Sequence, residues 1–450
     1  MEGKDLTKGN LLKNMAVLLI PLVLTTLLNS IYNIIDGIWI GNLIGEDGVS
    51  AITNCYPLTI LVTAIANGIA IATSILVSQY YGAKENEKIK AIVGVSYLST
   101  IIISIITILI MIITSNAWFK ILNTPSEILN ITKQYLTIYL IGFVFNFLLT
   151  VIMEELRAIG NSKVPLVFVG ISTAVNIVLD PILIKLGLGV AGAAIATVIA
   201  MMVGTIVGII YVNKNSTLLK IDFKYLKLNK EYINQLLKIG IPVVIEEWII
   251  SAVILLEVNV SNATGVVGSA SYGVVSKLEQ VIMVIGGSFK TMESVTVGQF
   301  IGNGSIKEAK DAMKQGLKLA LIPTVLIILI VFVFPRQFCK IFVSSEEVIQ
   351  TSIMYLSVVG MAHILLPTRQ LLHGFIVGTG HTKFALVSAI IASIVEVITI
   401  VALREIGVNN LIALGIGILL WVLVKIISNT IYYFSNRWQK EVVNMKEGNV

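Results

Sequence analysis

Runs of about twenty apolar residues alternate along the chain with short polar stretches, and each run is long enough to cross a hydrocarbon core as a helix. They predict spans near 15–40, 49–81, 91–114, 131–156, 164–185 and 189–213. After a polar stretch the spans resume near 238–261, 269–301, 315–335, 348–376, 382–403 and 408–434. The pattern predicts an all-α polytopic membrane protein with twelve transmembrane helices. Its first lobe covers 1–213, a cytoplasmic linker 214–237 and a second lobe 238–450. The leading polar stretch, 1–14, runs into a long apolar span with no short apolar core and small-residue cleavage site. The first span is therefore read as a retained helix.

Composition agrees with that pattern. The 450 residues are 56% hydrophobic and 13% charged, about half the charge of an ordinary soluble domain. Charge position then sets the orientation. Lys4, Lys8 and Lys13 precede the first span, and Lys84, Lys88 and Lys90 follow the second. Arg157 and Lys163 follow the fourth, and Lys214, Lys220, Lys224, Lys227, Lys230 and Lys238 follow the sixth. Lys307, Lys310, Lys314 and Lys318, then Lys383, then Arg437, Lys440 and Lys446 continue the alternation. The opposite loops hold only Lys120, Lys133, Lys185, Arg336, Lys340 and Arg404. Both termini are thus expected in the cytoplasm, with the chain multi-pass in the cell membrane. The net charge of +6 follows from this bias and calls for no nucleic acid. Cys55 and Cys339 are too few for a disulfide framework or a metal cluster and read as unpaired thiols.

The two halves repeat at a spacing near 220 residues. Ile20-Pro21 recurs as Ile241-Pro242, Gly45 and Gly48 as Gly265 and Gly268, and Gln79 and Gly82 as Gln299 and Gly302. Gly160, Ser162 and Lys163 recur as Gly380, Thr382 and Lys383. Several matches at nearly one offset, each at the same place in the helix order, point to duplication. Six spans per half give the repeats one orientation, with a central cleft and midplane sites expected between them.

Several stretches resemble the multidrug and toxic compound extrusion (MATE) transporters. They are Pro21 with Asp36 in the first span, Leu156-Arg157-Ala158-Ile159-Gly160-Asn161-Ser162-Lys163 after the fourth, and Asn176-Ile177-Val178-Leu179-Asp180-Pro181 in the fifth. The run from Gly187 through Thr197 opens the sixth. The resemblance covers nearly the whole chain and implies a V-shaped pair of six-helix lobes. It also implies export of cationic, amphipathic compounds driven by inward movement of Na⁺ or H⁺.

A charged Asp at a helix centre costs roughly 2.5–3.5 kcal/mol on insertion scales, so buried acids in the spans are functional candidates. Asn176 and Asp180 lie four residues apart, on one helical face. With Asp36 and Thr197 they supply hard oxygen ligands for a small cation. Two carboxylates packed closely can instead share a proton. The resemblance implies that Asp36, Asn176, Asp180 and Thr197 form the cation-coupling site and bind the metal if the ion is Na⁺. The ordinary alternative makes Asp36 a helix-end cap and Asp180 the residue before a proline break.

In the second half Glu257 lies fifteen residues after Pro242, as Asp36 does after Pro21. Glu396 falls at the repeat position of Asn176, and nothing acidic mirrors Asp180. Glu246, Glu247, Glu257, Glu279 and Glu293 are candidates for a substrate or second cation site. Lys277, Glu279, Lys290 and Glu293 also read as structural ion pairs. Trp39, Trp248, Tyr32 and Tyr272 fit the membrane interface or an aromatic pocket. His363, His373 and His381 read as polar residues on the cytoplasmic side.

No HExxH, GxSxG or GxxxxGK[ST] occurs, so neither an enzyme nor an ATP-driven pump is expected. No organic cofactor is expected, and the expected partners are a small organic substrate and the bilayer, with a monomeric chain. The alternative is a flippase for a lipid-linked saccharide of the related superfamily, which more than twelve spans or a strongly basic cavity would favour. The expected mechanism has a cation neutralise Asp36 and Asp180, whereupon the first helix repacks, hinged at Pro21, where the missing N–H weakens it.

Overall fold

Twelve long helices dominate the computed structural model, which describes residues 3–440. They are α1 (Leu11–Leu43), α2 (Glu46–Gly82), α3 (Asn86–Ile121), α4 (Leu129–Ala158), α5 (Lys163–Leu183) and α6 (Gly189–Asn215). The second set is α7 (Lys230–Asn262), α8 (Gly265–Gly302), α9 (Ile306–Ile328), α10 (Glu346–Gly378), α11 (Thr382–Glu405) and α12 (Asn410–Phe434). The twelve expected spans correspond one to one with these helices, most of which extend past the apolar run by a turn or more. The basic residue Lys446 of the tail lies outside the described residues.

Eleven of the helices lie in ten apolar segments long enough to span a membrane, α5 and α6 being joined in one. The twelfth, α8, is 38 residues long but carries Lys277, Glu279, Lys290 and Glu293 within its run. Their outward faces stay greasy: Ile113 is 77% exposed, with Ile106, Leu109 and Ile110 beside it on α3. Such stripes belong against lipid rather than water.

The duplication read from sequence is visible in the backbone. Helices α1 and α7 are both 33 residues long. The turn into α2 places Gly45 at φ 90°, and the turn into α8 places Gly265 at φ 77°. After α4 and α10, Gly160 and Gly380 stand at φ 82° and 85°. Only glycine takes that left-handed region without strain, which is why it recurs at these junctions.

The chain forms two compact units, 3–5 with 20–244 and 6–19 with 245–440. The division falls inside α1 one residue before Pro21, and inside α7 two residues after Pro242. In the first unit, Cys55, Leu58 and Val62 of α2 pack with Phe143 and Phe147 of α4 and Ala194 of α6. Tyr135, Tyr139, Phe143 and Phe147 form a ladder of ring contacts along α4. The opening turns of α7 belong here too, where Gln235 accepts from the Tyr80 hydroxyl at 3.0 Å. The connecting segment 216–229 lies on the start of α3, where a Cβ on Gly94 would stand 2.3 Å from the Tyr225 carbonyl oxygen. In the second unit, Leu278 and Ile282 of α8 pack with Leu356 and Val359 of α10 and Leu414 of α12. The leading residues join it through Leu6, whose N–H donates to the Gln299 side chain at 2.9 Å.

Candidate functional site

In the first unit, three helices converge on one polar cluster. Helix α1 supplies Tyr32 and Asp36, α5 supplies Asn176 and Asp180 one turn apart, and α6 supplies Thr197. The α5–α6 connection reverses the chain at Gly187, φ 90°. A Cβ on Gly192 would come within 2.9 Å of the Leu183 backbone, so α6 starts against the end of α5. That close start holds Thr197 opposite Asn176.

The Asn176 side-chain amide donates to Asp180 Oδ1 at 3.2 Å and to Thr197 Oγ1 at 3.3 Å. The Tyr32 hydroxyl lies 3.3 Å from Thr197 Oγ1. The Asp36 and Asp180 carboxyls are within hydrogen-bonding reach of each other. Asn176 and Asp180 are fully buried and Thr197 is 3% exposed. The amide donors are spent inside the cluster, yet three oxygens find no partner: Asp36 Oδ1, Asn176 Oδ1 and Asp180 Oδ2. Buried acceptors left bare are costly. A cation resolves all three at once, whereas a proton shared by the two carboxyls leaves the Asn176 carbonyl bare; the donor set, two carboxylates with a carbonyl and a hydroxyl, is the hard-oxygen kind that Na⁺ prefers. Among the described residues, no group of three or more His, Cys, Asp or Glu side chains that could hold a metal ion occurs.

The second unit separates the candidate acids into different roles. Glu246 on α7 accepts from Lys425 Nζ of α12 at 2.9 Å, and the same ammonium donates to the Ala385 carbonyl at 3.2 Å. His373 Nδ1 stands 3.7 Å from Glu246. Glu247 is half-buried. Glu257 accepts from the Tyr272 hydroxyl at 3.0 Å, and its carboxyl reaches that of Glu396 on α11. Glu279 faces the same region, and the Arg369 guanidinium lies over the Trp421 ring at 4.7 Å. Glu293 is fully buried with neither carboxylate oxygen bonded.

One expectation needs correction. Among the described residues no ion pair joins Lys277, Glu279, Lys290 and Glu293; the buried pair of this half is Glu246–Lys425. A lysine on a third helix completes it, and spacing along α8 gives no hint of that. His363 and His373 lie within α10. They are 1% and 5% exposed inside the helix packing, while His381 sits at the start of α11, where Nδ1 meets the Thr379 hydroxyl at 3.1 Å. Sequence reasoning missed Lys425 and Arg369, both buried, and Glu155, held by Ser96 at 3.0 Å and Tyr97 at 2.9 Å. The signal was present: each is an ionisable residue inside or at the end of an apolar span, the same criterion that singled out Asp36.

The MatE family model matches residues 21–182 and again 242–403, two stretches separated by the same 221-residue offset at both ends. A probable multidrug resistance protein, YoeA of Bacillus subtilis, is 28% identical over 86% of this chain and 85% of its own length. The multidrug export protein MepA of Staphylococcus aureus is 28% identical over 86% of each chain. Among solved structures, a MATE in complex with MaD3S superposes with a TM-score of 0.89 over 97% of this chain and 99% of its own, at 20% identity. An outward-facing MATE transporter of the MOP superfamily also gives 0.89, over 97% and 98%, at 21% identity; both likenesses speak to the fold. With the family model matching most of the chain in two repeats, and twelve helices in the arrangement of solved MATE structures, this protein belongs to the MatE family of membrane transporters and is not an enzyme.

Proposed function

We propose that the chain exports small organic compounds, cationic and amphipathic, in exchange for Na⁺ or H⁺ entering through the Asp36, Asn176, Asp180 and Thr197 cluster. The observation that carries this reading is the set of three buried, unpartnered oxygens on Asp36, Asn176 and Asp180. The relatives named for multidrug resistance and export support the substrate class. The coupling ion serves in place of any organic cofactor.

In this mechanism the cation binds Asp36 and Asp180 and cancels their mutual repulsion. Helix α1 is free to respond at one place. Pro21 supplies no N–H there, and the Thr25 hydroxyl bonds the Pro21 carbonyl at 2.7 Å, a back-bond of the kind that bends helices. The two units also divide at this position. Repacking of α1 expels the organic cation, and the protein resets. Both termini face the cytoplasm, as the basic residues demand, and the chain works as a monomer in the cell membrane.

The test is purified protein in liposomes, with substrate flux followed under an imposed Na⁺ gradient and, separately, a pH gradient. One gradient should drive export, and Asp36→Asn should reach the membrane folded and fail to export under either. Normal flux in that variant sinks the reading.

A further inference from the structure

The segment joining α6 to α7 lies wholly in the first unit and takes no part in the coupling cluster. Around its middle it carries Lys220, Lys224, Lys227 and Lys230 against Asp222 and Glu231. It is folded onto the protein rather than left as a free tether. Leu219 and Tyr225 are buried. The Leu219 N–H donates to Ser216 Oγ and the Ile221 N–H to the Asn213 side chain, each at 3.0 Å. The Tyr225 hydroxyl donates to Glu87 in the first turn of α3, and the Tyr225 backbone sits where Gly94 leaves room for it.

Between these anchors the chain turns outward. The Tyr225 N–H donates to the Asp222 carbonyl at 3.0 Å, and the Asp222 side chain accepts from the Lys224 N–H at 2.9 Å. Phe223 stands at the tip of this turn, 89% exposed, more than any other large apolar side chain among the described residues. Leu228 follows at 55%. The turn has a use for its aspartate, whose side chain closes it, but its geometry asks for no phenylalanine at the tip. The four lysines are exposed around that ring. Depth is set by α3. Gly94, under the segment, comes seven residues before Ile101, where the exposed isoleucines of α3 begin. Seven residues are about 10 Å of helix, so the turn lies beyond the acyl core that those isoleucines face, in the headgroup layer.

We infer that this segment is an interfacial anchor, with Phe223 and Leu228 dipping into the headgroup layer and the lysines holding anionic lipid headgroups. Apolar side chains flanked by lysines suit that layer, where the ring leaves water and the ammonium groups stay in it. Lysines beside an anionic surface are attracted to it over about a Debye length. The occupant is the bilayer surface itself, because the segment is fastened to a membrane-crossing helix and carries the opposite charge. The inference rests on the proposed function only in assigning this surface to the cytoplasmic leaflet.

The experiment uses the full chain with Cys55→Ala and Cys339→Ala, and Phe223→Cys carrying a nitroxide label. The protein is placed in liposomes of phosphatidylcholine alone, or with phosphatidylglycerol in equal parts. Both leaflets then have one composition, so the result does not depend on orientation. With phosphatidylglycerol the label should become accessible to oxygen and shielded from a water-soluble nickel complex. In phosphatidylcholine alone, or at high salt, much of that shielding should be lost. Lys220→Gln, Lys224→Gln and Lys227→Gln together should abolish the lipid dependence. Arginine at the same three positions should retain it, which separates lost charge from lost folding. A label equally open to the nickel complex in both lipids overturns the inference, as does shielding that survives the three glutamines. Shielding already complete in detergent would mean that a second protein chain covers Phe223. Shielding produced by inorganic phosphate in phosphatidylcholine would mean a free-anion site; either result also overturns it. Failure of the coupling reading shows up separately, as normal export by Asp36→Asn.

Discussion

The two halves repeat one design and differ where charge is buried. In the first, two aspartates, an amide and two hydroxyls gather with no basic side chain among them, and three oxygens stay bare. In the second, the acids divide: Glu246 is tied to Lys425, Glu257, Glu279 and Glu396 line one cavity, and Glu293 is buried with no bonded partner. The backbone at the junctions changed little, since glycines still take the same left-handed turns. What diverged is therefore the chemistry the scaffold presents, and a duplicated scaffold allows one copy to keep an ion site while the other is free to change.

The largest effect should come from removing a charge that only the first half needs. Asp180→Asn keeps the size and the bond from Asn176 but leaves one carboxylate. Export in cells lacking other pumps should drop to background, whereas Glu396→Gln should retain measurable export. Equal and complete loss in both would mean the halves are not specialised as described.

Next in size is the buried pair. Lys425 is fully buried and, apart from the Ala385 carbonyl, satisfied by Glu246. Replacing it with Met strands a buried carboxylate, a change that costs about 3–5 kcal/mol. A thermal melt in detergent should shift down sharply, and adding Glu246→Gln should restore much of it because no charge is then left bare. A single variant as stable as the parent would show that Glu246 does not depend on Lys425.

How far these features were legible in the sequence follows from the same physics. Apolar length and the alternation of Lys and Arg are local signals, so the helices and their number could be read directly. Asn176 and Asp180 were legible because four residues make one helical turn. Asp36 was legible because a lone acid in an apolar run is conspicuous. Whether Thr197 faces them depends on how α6 starts against α5, which only the packing at Gly192 reveals. Lys425 escaped because its partner is 179 residues away on another helix. Glu396 was noticed only as a mismatch with Asn176, and its contact with Glu257 depends on α7 and α11 meeting.

A smaller effect tests the hydroxyl of the first cluster. Thr197→Val keeps the shape and deletes one oxygen and one bond from Asn176. At a net worth of about 1 kcal/mol, the ion concentration giving half-maximal transport should rise roughly fivefold, read from flux against Na⁺ or pH in liposomes. If the position is only packing, the curve will not move.

The smallest expected change lies one bond further out. The Tyr32 hydroxyl touches the Thr197 hydroxyl, whereas the Tyr272 hydroxyl bonds the Glu257 carboxylate directly. A bond to an ionised group is worth about twice a neutral one. Tyr32→Phe should therefore shift the same transport curve less than Thr197→Val does, by about twofold. Because it acts through the threonine, it should add little once Thr197→Val is present. Tyr272→Phe removes the bond to Glu257 in the other unit and should leave this curve unmoved. A Tyr32 effect that persists in full on the Thr197→Val background would place its hydroxyl on the ion itself, and the first cluster would then hold five ligands rather than four.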